Sequence, residues 1–230
     1  MVKILHLYYD LMNLYGDYGN VVVLCDNLKK NGIDYELSKY SIGDEFDFDD
    51  YDFIFCGSGT ESKTELAIKD FVERKESFVK AVNNNKFILF TGSSIALLGN
   101  NGVGVFSYSV IDEKKRICGD VICDCKYLGD IVGYVNTSIS TRTDKKSYIT
   151  IKTCDYALRK YRDIGYRKNN LLTVNITGPL LVKNPSILKD LVTNIGLSQN
   201  KDFVYKDSIN ENQKKSYEIT LNQLKKRFQN

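Results

Sequence analysis

Tyr51-Asp-Phe-Ile-Phe-Cys56 runs into Gly57-Ser58-Gly59, and Lys86-Phe-Ile-Leu-Phe90 runs into Thr91-Gly92-Ser93-Ser94. Each is a short apolar run closed by small residues, the pattern of a buried strand ending in a tight turn. Between them, Glu65–Val82 places Phe71, Val72, Phe78, Val79 and Val82 near one face of a helix. Strand, helix and strand in this order predict parallel strands covered by helices, an α/β fold. Upstream, Val2–Tyr9 reads as a strand and Asn20–Asn31 as a helix, with Asn20 as N-cap and Gly32 closing it. Tyr35–Ile42 reads as a further strand. Residues 1–100 are therefore expected to form a parallel βα core.

Residues 103–176 change character. VFSYSVI, ICGDVICD, IVGYV, SYITI and LLTVNI are β-prone runs separated by turn residues, expected as an antiparallel extension of the sheet. Residues 186–228 are expected to hold two helices. Pro185 opens the first, and Tyr217, Leu221, Leu224 and Phe228 form the apolar stripe of the second, which docks on the body or on a partner. No linker or repeat interrupts the chain, so one domain is expected over 1–230.

Composition bounds the chemistry. The 230 residues carry 32 basic and 29 acidic side chains, a net charge of +3, too small to argue for nucleic acid or an anionic membrane. No apolar run approaches the ~20 residues of a membrane span, and Asp10 arrives too early for a signal peptide. A cytoplasmic protein with six free thiols is expected. His6 is the only histidine, which restricts imidazole chemistry and excludes paired-histidine zinc sites. Cys123 and Cys125 share one strand face and read as small apolar side chains; no metal and no cofactor is expected. Gly57–Thr64 resembles a phosphate loop, but Ser62 stands at its second glycine, so a glycine turn is the simpler reading.

Five segments carry a resemblance. Asn13-Leu-Tyr-Gly-Asp-Tyr-Gly-Asn20 matches an NLYxDxGN run, Gly57-Ser58-Gly59 a GGG-type loop, and Thr177-Gly178-Pro179 an HGP turn. Arg116–Asp120 matches RxxGD and Ile131–Tyr134 matches IVGF. On these residues the chain resembles the class I glutamine amidotransferases of the cobyric acid synthase type. Among them it is most similar to the glutaminase subunits of lipid II isoglutaminyl synthases. Those subunits work with a Mur-ligase-like partner to amidate the D-glutamate of peptidoglycan precursors. The resemblance implies a flavodoxin-like fold, an elbow cysteine as nucleophile, a histidine base, an oxyanion loop at Gly57, Ser58 and Gly59, and glutamine binding by Arg116. Aligning the family's elbow on Leu98-Gly99 puts the nucleophile position at Gly92 and the base position at Thr177, with Ala96 at the elbow's glutamine. Both catalytic residues are then missing.

Three functions are expected from this reading. The first is a catalytically inactive amidotransferase-like subunit that serves as partner or scaffold of a Mur-ligase-like enzyme. The second is an active amidotransferase with a relocated nucleophile at Ser93, Ser94 or Cys56. The third is a flavodoxin-like module that binds a small molecule, such as glutamine or a related amino acid, or a nucleotide, near Gly57–Thr60.

Overall fold

The apolar runs form a single nine-stranded sheet. The computed structural model describes residues 1–125 and 127–229. The strands are β1 (Val2–Leu7), β2 (Tyr35–Tyr40), β3 (Phe53–Cys56), β4 (Phe87–Thr91), β5 (Ser109–Cys125), β6 (Gly129–Arg142), β7 (Ile149–Cys154), β8 (Asp163–Lys168) and β9 (Leu171–Val174). Their order is β2-β1-β3-β4-β9-β8-β7-β5-β6. The first five strands of that order are mutually parallel, and every later pairing is antiparallel. The helices are α1 (Gly19–Lys30), α2 (Glu61–Glu73), α3 (Lys75–Asn83), α4 (Leu180–Lys183), α5 (Pro185–Gln199) and α6 (Glu211–Gln229). The sheet is thus mixed and flanked by helices, the α/β architecture expected.

Several expectations need correction. The helix expected over Glu65–Val82 is two helices that break at Arg74 (φ −94, ψ 9). The bend brings Phe71 and Phe78 together edge to face, 4.7 Å between ring centroids, and both also contact Phe90. Burial of three aromatic rings outweighs the interruption of regular helix at one residue. Asn20 does not cap α1; it is buried inside the first turn. Its Oδ1 accepts from Leu181 N at 2.8 Å and its Nδ2 donates to Asp17 O at 3.1 Å. LLTVNI ends the antiparallel arm but also joins the core: β9 is antiparallel to β8 and parallel to β4, with Leu171 opposite Ile88 and Val174 opposite Thr91.

The sheet buries both faces. On one side α1, α4 and α5 cover Val2, Ile4, Phe55, Leu89 and Val174; on the other α2 and α3 cover Leu5, Leu7, Ile54, Ile88 and Phe90. This is the near-continuous apolar character that parallel strands require. Cys123 and Cys125 pack in the first of these cores. The stripe on α6 is covered by the chain itself: Leu224 packs with Ile122 and Val132, Tyr217 donates to Asp130 O at 2.6 Å, and Arg227 pairs with Asp120 and Asp155. No helix among the described residues is long and apolar enough to cross a membrane.

Candidate functional site

Parallel strands place their following loops along one sheet edge, and that edge is where α/β proteins build sites. Here three loops converge on it. Gly57-Ser58-Gly59 follows β3, the Gly92–Leu97 turn follows β4, and Asn175–Pro179 follows β9. The segment Asn13–Asn20 after β1 fastens them. Asp17 is fully buried and its Oδ2 accepts from Ser58 N at 2.7 Å and from Thr91 Oγ1 at 3.4 Å. A Cβ at Gly57 would stand 2.6 Å from Met12 O and 2.9 Å from Asp17 Cβ, so only glycine fits there. Gly19 lies against Pro179, 3.0 Å from where its Cβ would be. Burial raises the Asp17 carboxyl to about 6, opposed by the bonds from Ser58 and Thr91 and by the charge of Lys183. The same burial lowers the Lys183 ammonium, whose Nζ donates to Thr177 O at 3.3 Å.

The turn after β4 has the shape of a nucleophile elbow. Gly92 is buried and has φ +60, the left-handed region, at the junction between strand and helical turn. It offers no side chain. A Cβ at this position would lie 2.5 Å from Ser58 Oγ and 2.8 Å from Ser58 Cβ. The Ser58 side chain therefore fills the space a nucleophile would need.

The amides of the loop are also engaged. An oxyanion loop works by presenting free N–H groups to developing charge. Ser58 N is bonded to Asp17, Gly59 N donates to Ser93 Oγ at 2.9 Å, and Ser93 N donates to Ser58 Oγ at 3.2 Å. Two serine hydroxyls thus occupy amides on both sides of the elbow.

The replacement nucleophiles lack a base. Ser93 Oγ bonds to Gly59 O at 3.1 Å and Thr64 Oγ1 at 3.0 Å, and approaches Ser58 Oγ at 3.4 Å; none of these accepts a proton readily. Ser94 is fully buried and donates to Thr91 O at 2.8 Å and Cys56 O at 3.2 Å. Cys56 is fully buried, and burial followed by the Asp17 charge pushes its thiol well above the ordinary range, the reverse of an activated thiolate. Thr177 is held by the β6 backbone: its N donates to Tyr134 O at 2.7 Å, and its Oγ1 accepts from Asn136 N at 3.1 Å. His6 lies within β1, stacked on Tyr18 at 5.4 Å, with both ring nitrogens buried and unbonded. The near-miss phosphate loop is a helix start: Thr60 caps α2 through Lys63 N, and the Ser58 and Gly59 amides face Asp17 and Ser93.

Arg116 belongs to the same site. A cleft of about 520 Å³ opens between the elbow, the start of α2 and the β5–β6 arm, lined by Ser58, Gly59, Thr60, Ser93, Arg116 and Asn136 among others. Arg116 Nη2 bonds Glu61 Oε1 at 2.6 Å and Nη1 bonds Asn136 Oδ1 at 3.0 Å. Ser138 Oγ donates to the same Glu61 oxygen at 2.9 Å. Sequence reasoning missed Glu61, Asn136 and the filling role of Ser58. The one signal present was Glu61 in the first turn of a helix that opens on a glycine loop.

Solved structures of similar fold include glutamine amidotransferases. The glutaminase domain of Trypanosoma brucei CTPS superposes with a TM-score of 0.57, covering 92% of this chain and 98% of that one at 11% identity. A glutamine amidotransferase from Thermotoga maritima gives 0.52, with 97% and 94% coverage at 9% identity. The chain has the glutamine amidotransferase fold. Among curated proteins it is similar to the lipid II isoglutaminyl synthase (glutamine-hydrolyzing) subunit GatD of Staphylococcus aureus, 26% identical over 198 residues, 81% of each chain. The subunit of the same name from Streptococcus pneumoniae is 30% identical over 131 residues, a match that spans 52% of this chain and 50% of that protein. No family model matches the sequence.

Proposed function

We propose that this chain is a glutamine-amidotransferase-like subunit of a lipid II amidating system that has lost glutaminase chemistry and serves a Mur-ligase-like enzyme as partner. The observation that carries this reading is the Ser58–Gly92 arrangement. The backbone keeps an elbow at φ +60, but its side-chain space holds the Ser58 hydroxyl. Hydrolysis of a carboxamide through a covalent intermediate needs a nucleophile, a base and free oxyanion donors. Gly92 supplies no nucleophile, Thr177 no base, and Ser58 and Ser93 engage the amides. The relatives named as isoglutaminyl synthase subunits support the place in lipid II amidation. A docking surface survives loss of catalysis because it depends on shape, not on the dyad.

The cleft at Arg116 gives the subunit a remaining capacity. A guanidinium suits a carboxylate, and here it already holds one from Glu61 at 2.6 Å. An incoming amino-acid carboxylate has to displace Glu61 to bind.

The test is ammonia release from glutamine by the purified chain, alone and with its co-purified partner. We expect none from the wild type and measurable release from a Ser58→Gly/Gly92→Cys/Thr177→His variant. Release by the wild type that a thiol or serine reagent abolishes overturns the reading.

A further inference from the structure

The net charge of +3 is unevenly spread. Residues 142–162, from the end of β6 to the start of β8, carry seven basic and two acidic side chains, a net of +5. The rest of the chain is therefore slightly acidic. An uneven field of this kind governs association even where the total charge is small.

The fold gathers these charges on one surface. Arg162 is shared by two adjoining hollows: Arg142 and Lys160 line the first with it, and Lys152 and Arg159 line the second, of about 350 Å³. Ser147 Oγ donates to Asp163 Oδ1, which pins the loop carrying Lys145 beside the start of β8. All six of these basic side chains are exposed. Lys152 pairs with Asp130 and Lys160 with Glu113, but Arg142, Lys145, Arg159 and Arg162 make no ion pair among the described residues. Of the two acids in the stretch, Asp155 is held by Arg227, and Asp144 alone stands exposed among the cations.

An aromatic side chain stands beside them. Tyr156 is 83% exposed, and the Arg159 guanidinium lies 5.4 Å from its ring centroid. Leu158, two residues on, is buried and anchors the turn from which the ring projects. Nucleic-acid backbones and acidic polypeptides offer negative charge without an apolar layer. A lipid surface offers both: headgroup phosphates for guanidinium and ammonium groups, and an interfacial layer in which an amphipathic ring sits.

We propose that the surface around Arg162 and Tyr156 docks the chain on an anionic phospholipid membrane, with Arg142, Lys145, Arg159 and Arg162 at the headgroup phosphates and the Tyr156 ring in the headgroup layer. The inference goes beyond the proposed subunit role and stands without it. It requires no helix that crosses the membrane.

The test is co-sedimentation of the full chain with vesicles of equal parts phosphatidylglycerol and phosphatidylcholine, and with vesicles of phosphatidylcholine alone. Binding is expected to the first and not to the second, and to fade as salt is raised. Each cation at such a surface strengthens binding about fivefold. Arg142→Gln/Arg159→Gln/Arg162→Gln is therefore expected to bind on the order of a hundredfold more weakly, with an unchanged Tm because the three side chains are exposed. Lys29→Gln/Lys75→Gln/Lys201→Gln, which removes the same charge elsewhere, is expected to stay within about threefold of wild type. Tyr156→Ala is expected to bind several-fold more weakly without altering the salt dependence. No binding to the anionic vesicles, equal binding to both kinds, or equal losses in the two triple variants overturns the proposal. So does binding of duplex DNA or polyglutamate as tight as that of the anionic vesicles, the former marking a nucleic-acid surface.

Discussion

Ser58 and Gly92 occupy one space between them: a Cβ on residue 92 would come within 2.5 Å of Ser58 Oγ, whereas Ser58 Cα is 3.6 Å away. Removing the serine side chain therefore leaves ordinary contact distance, and restoring a side chain at 92 without removing it leaves a clash. Gly92→Cys alone is expected to destabilise the fold by about 2–4 kcal/mol, through the left-handed φ and the overlap. Adding Ser58→Gly is expected to recover about 1–2 kcal/mol of that, a positive coupling visible in a double-mutant cycle by urea unfolding. Additive effects of the two changes would contradict the steric relationship.

Acid titration separates two buried groups with opposite signs. His6 is held down to about 4 by burial and then by the nearby Lys39 charge. Above 6.5 the ring is neutral in both states. Between 6.5 and 4 the unfolded chain binds a proton that the native chain does not, so stability falls as pH drops, by up to about 3 kcal/mol in all. Asp17, raised to about 6, acts the other way: the native state holds the proton first, so its contribution grows as pH drops from 6 towards 3.8. His6→Phe removes two unbonded nitrogens and one of the two slopes. Its stability relative to wild type is expected to rise steadily between pH 6.5 and 4, and a constant difference across that window would refute the assignment.

Glu61 competes with any carboxylate at Arg116. Both side chains are about half exposed, so breaking the pair is expected to change stability by less than about 1 kcal/mol. Glu61→Gln is expected to bind glutamine several-fold more tightly than wild type, and Arg116→Ala to bind none, read by calorimetric titration. Equal binding in all three proteins would remove Arg116 from the cleft's function.

Asn184 fastens α4 and α5 to the arm. It is fully buried, accepts from Val132 N at 2.8 Å, and donates to Val132 O and Leu180 O at 3.0 Å each. Asn184→Leu leaves the Val132 amide and carbonyl without partners and is expected to cost about 2–4 kcal/mol in thermal or urea unfolding.

The parallel core was legible because its strands are apolar runs closed by glycine, and burial on both faces demands such runs. The break at Arg74 was not, because Glu73-Arg74-Lys75 contains neither glycine nor proline and the apolar spacing continues across it. What bends the helix is the meeting of Phe71, Phe78 and Phe90, which come from different elements. The place of β9 had a readable sign: Leu171–Val174 is apolar without alternation, as a parallel strand buried on both faces should be. At the site, Gly92 and Thr177 were found by resemblance, and their loops do converge. The blocking role of Ser58 and the pairing of Glu61 with Arg116 were invisible, since each joins residues far apart in the chain.

The insertion of β9 between β4 and β8 has a consequence for how the chain assembles. During synthesis β1 to β4 emerge first, yet the outer edge of β4 stays open until Leu171–Val174 has been made. An open edge of buried apolar strand invites pairing with a neighbouring chain. The long β5–β6 hairpin, whose contacts are local, can form in that interval and then deliver β7, β8 and β9 as a unit. The order of the sheet therefore makes residue 174 the earliest point at which the nascent chain can protect its own core.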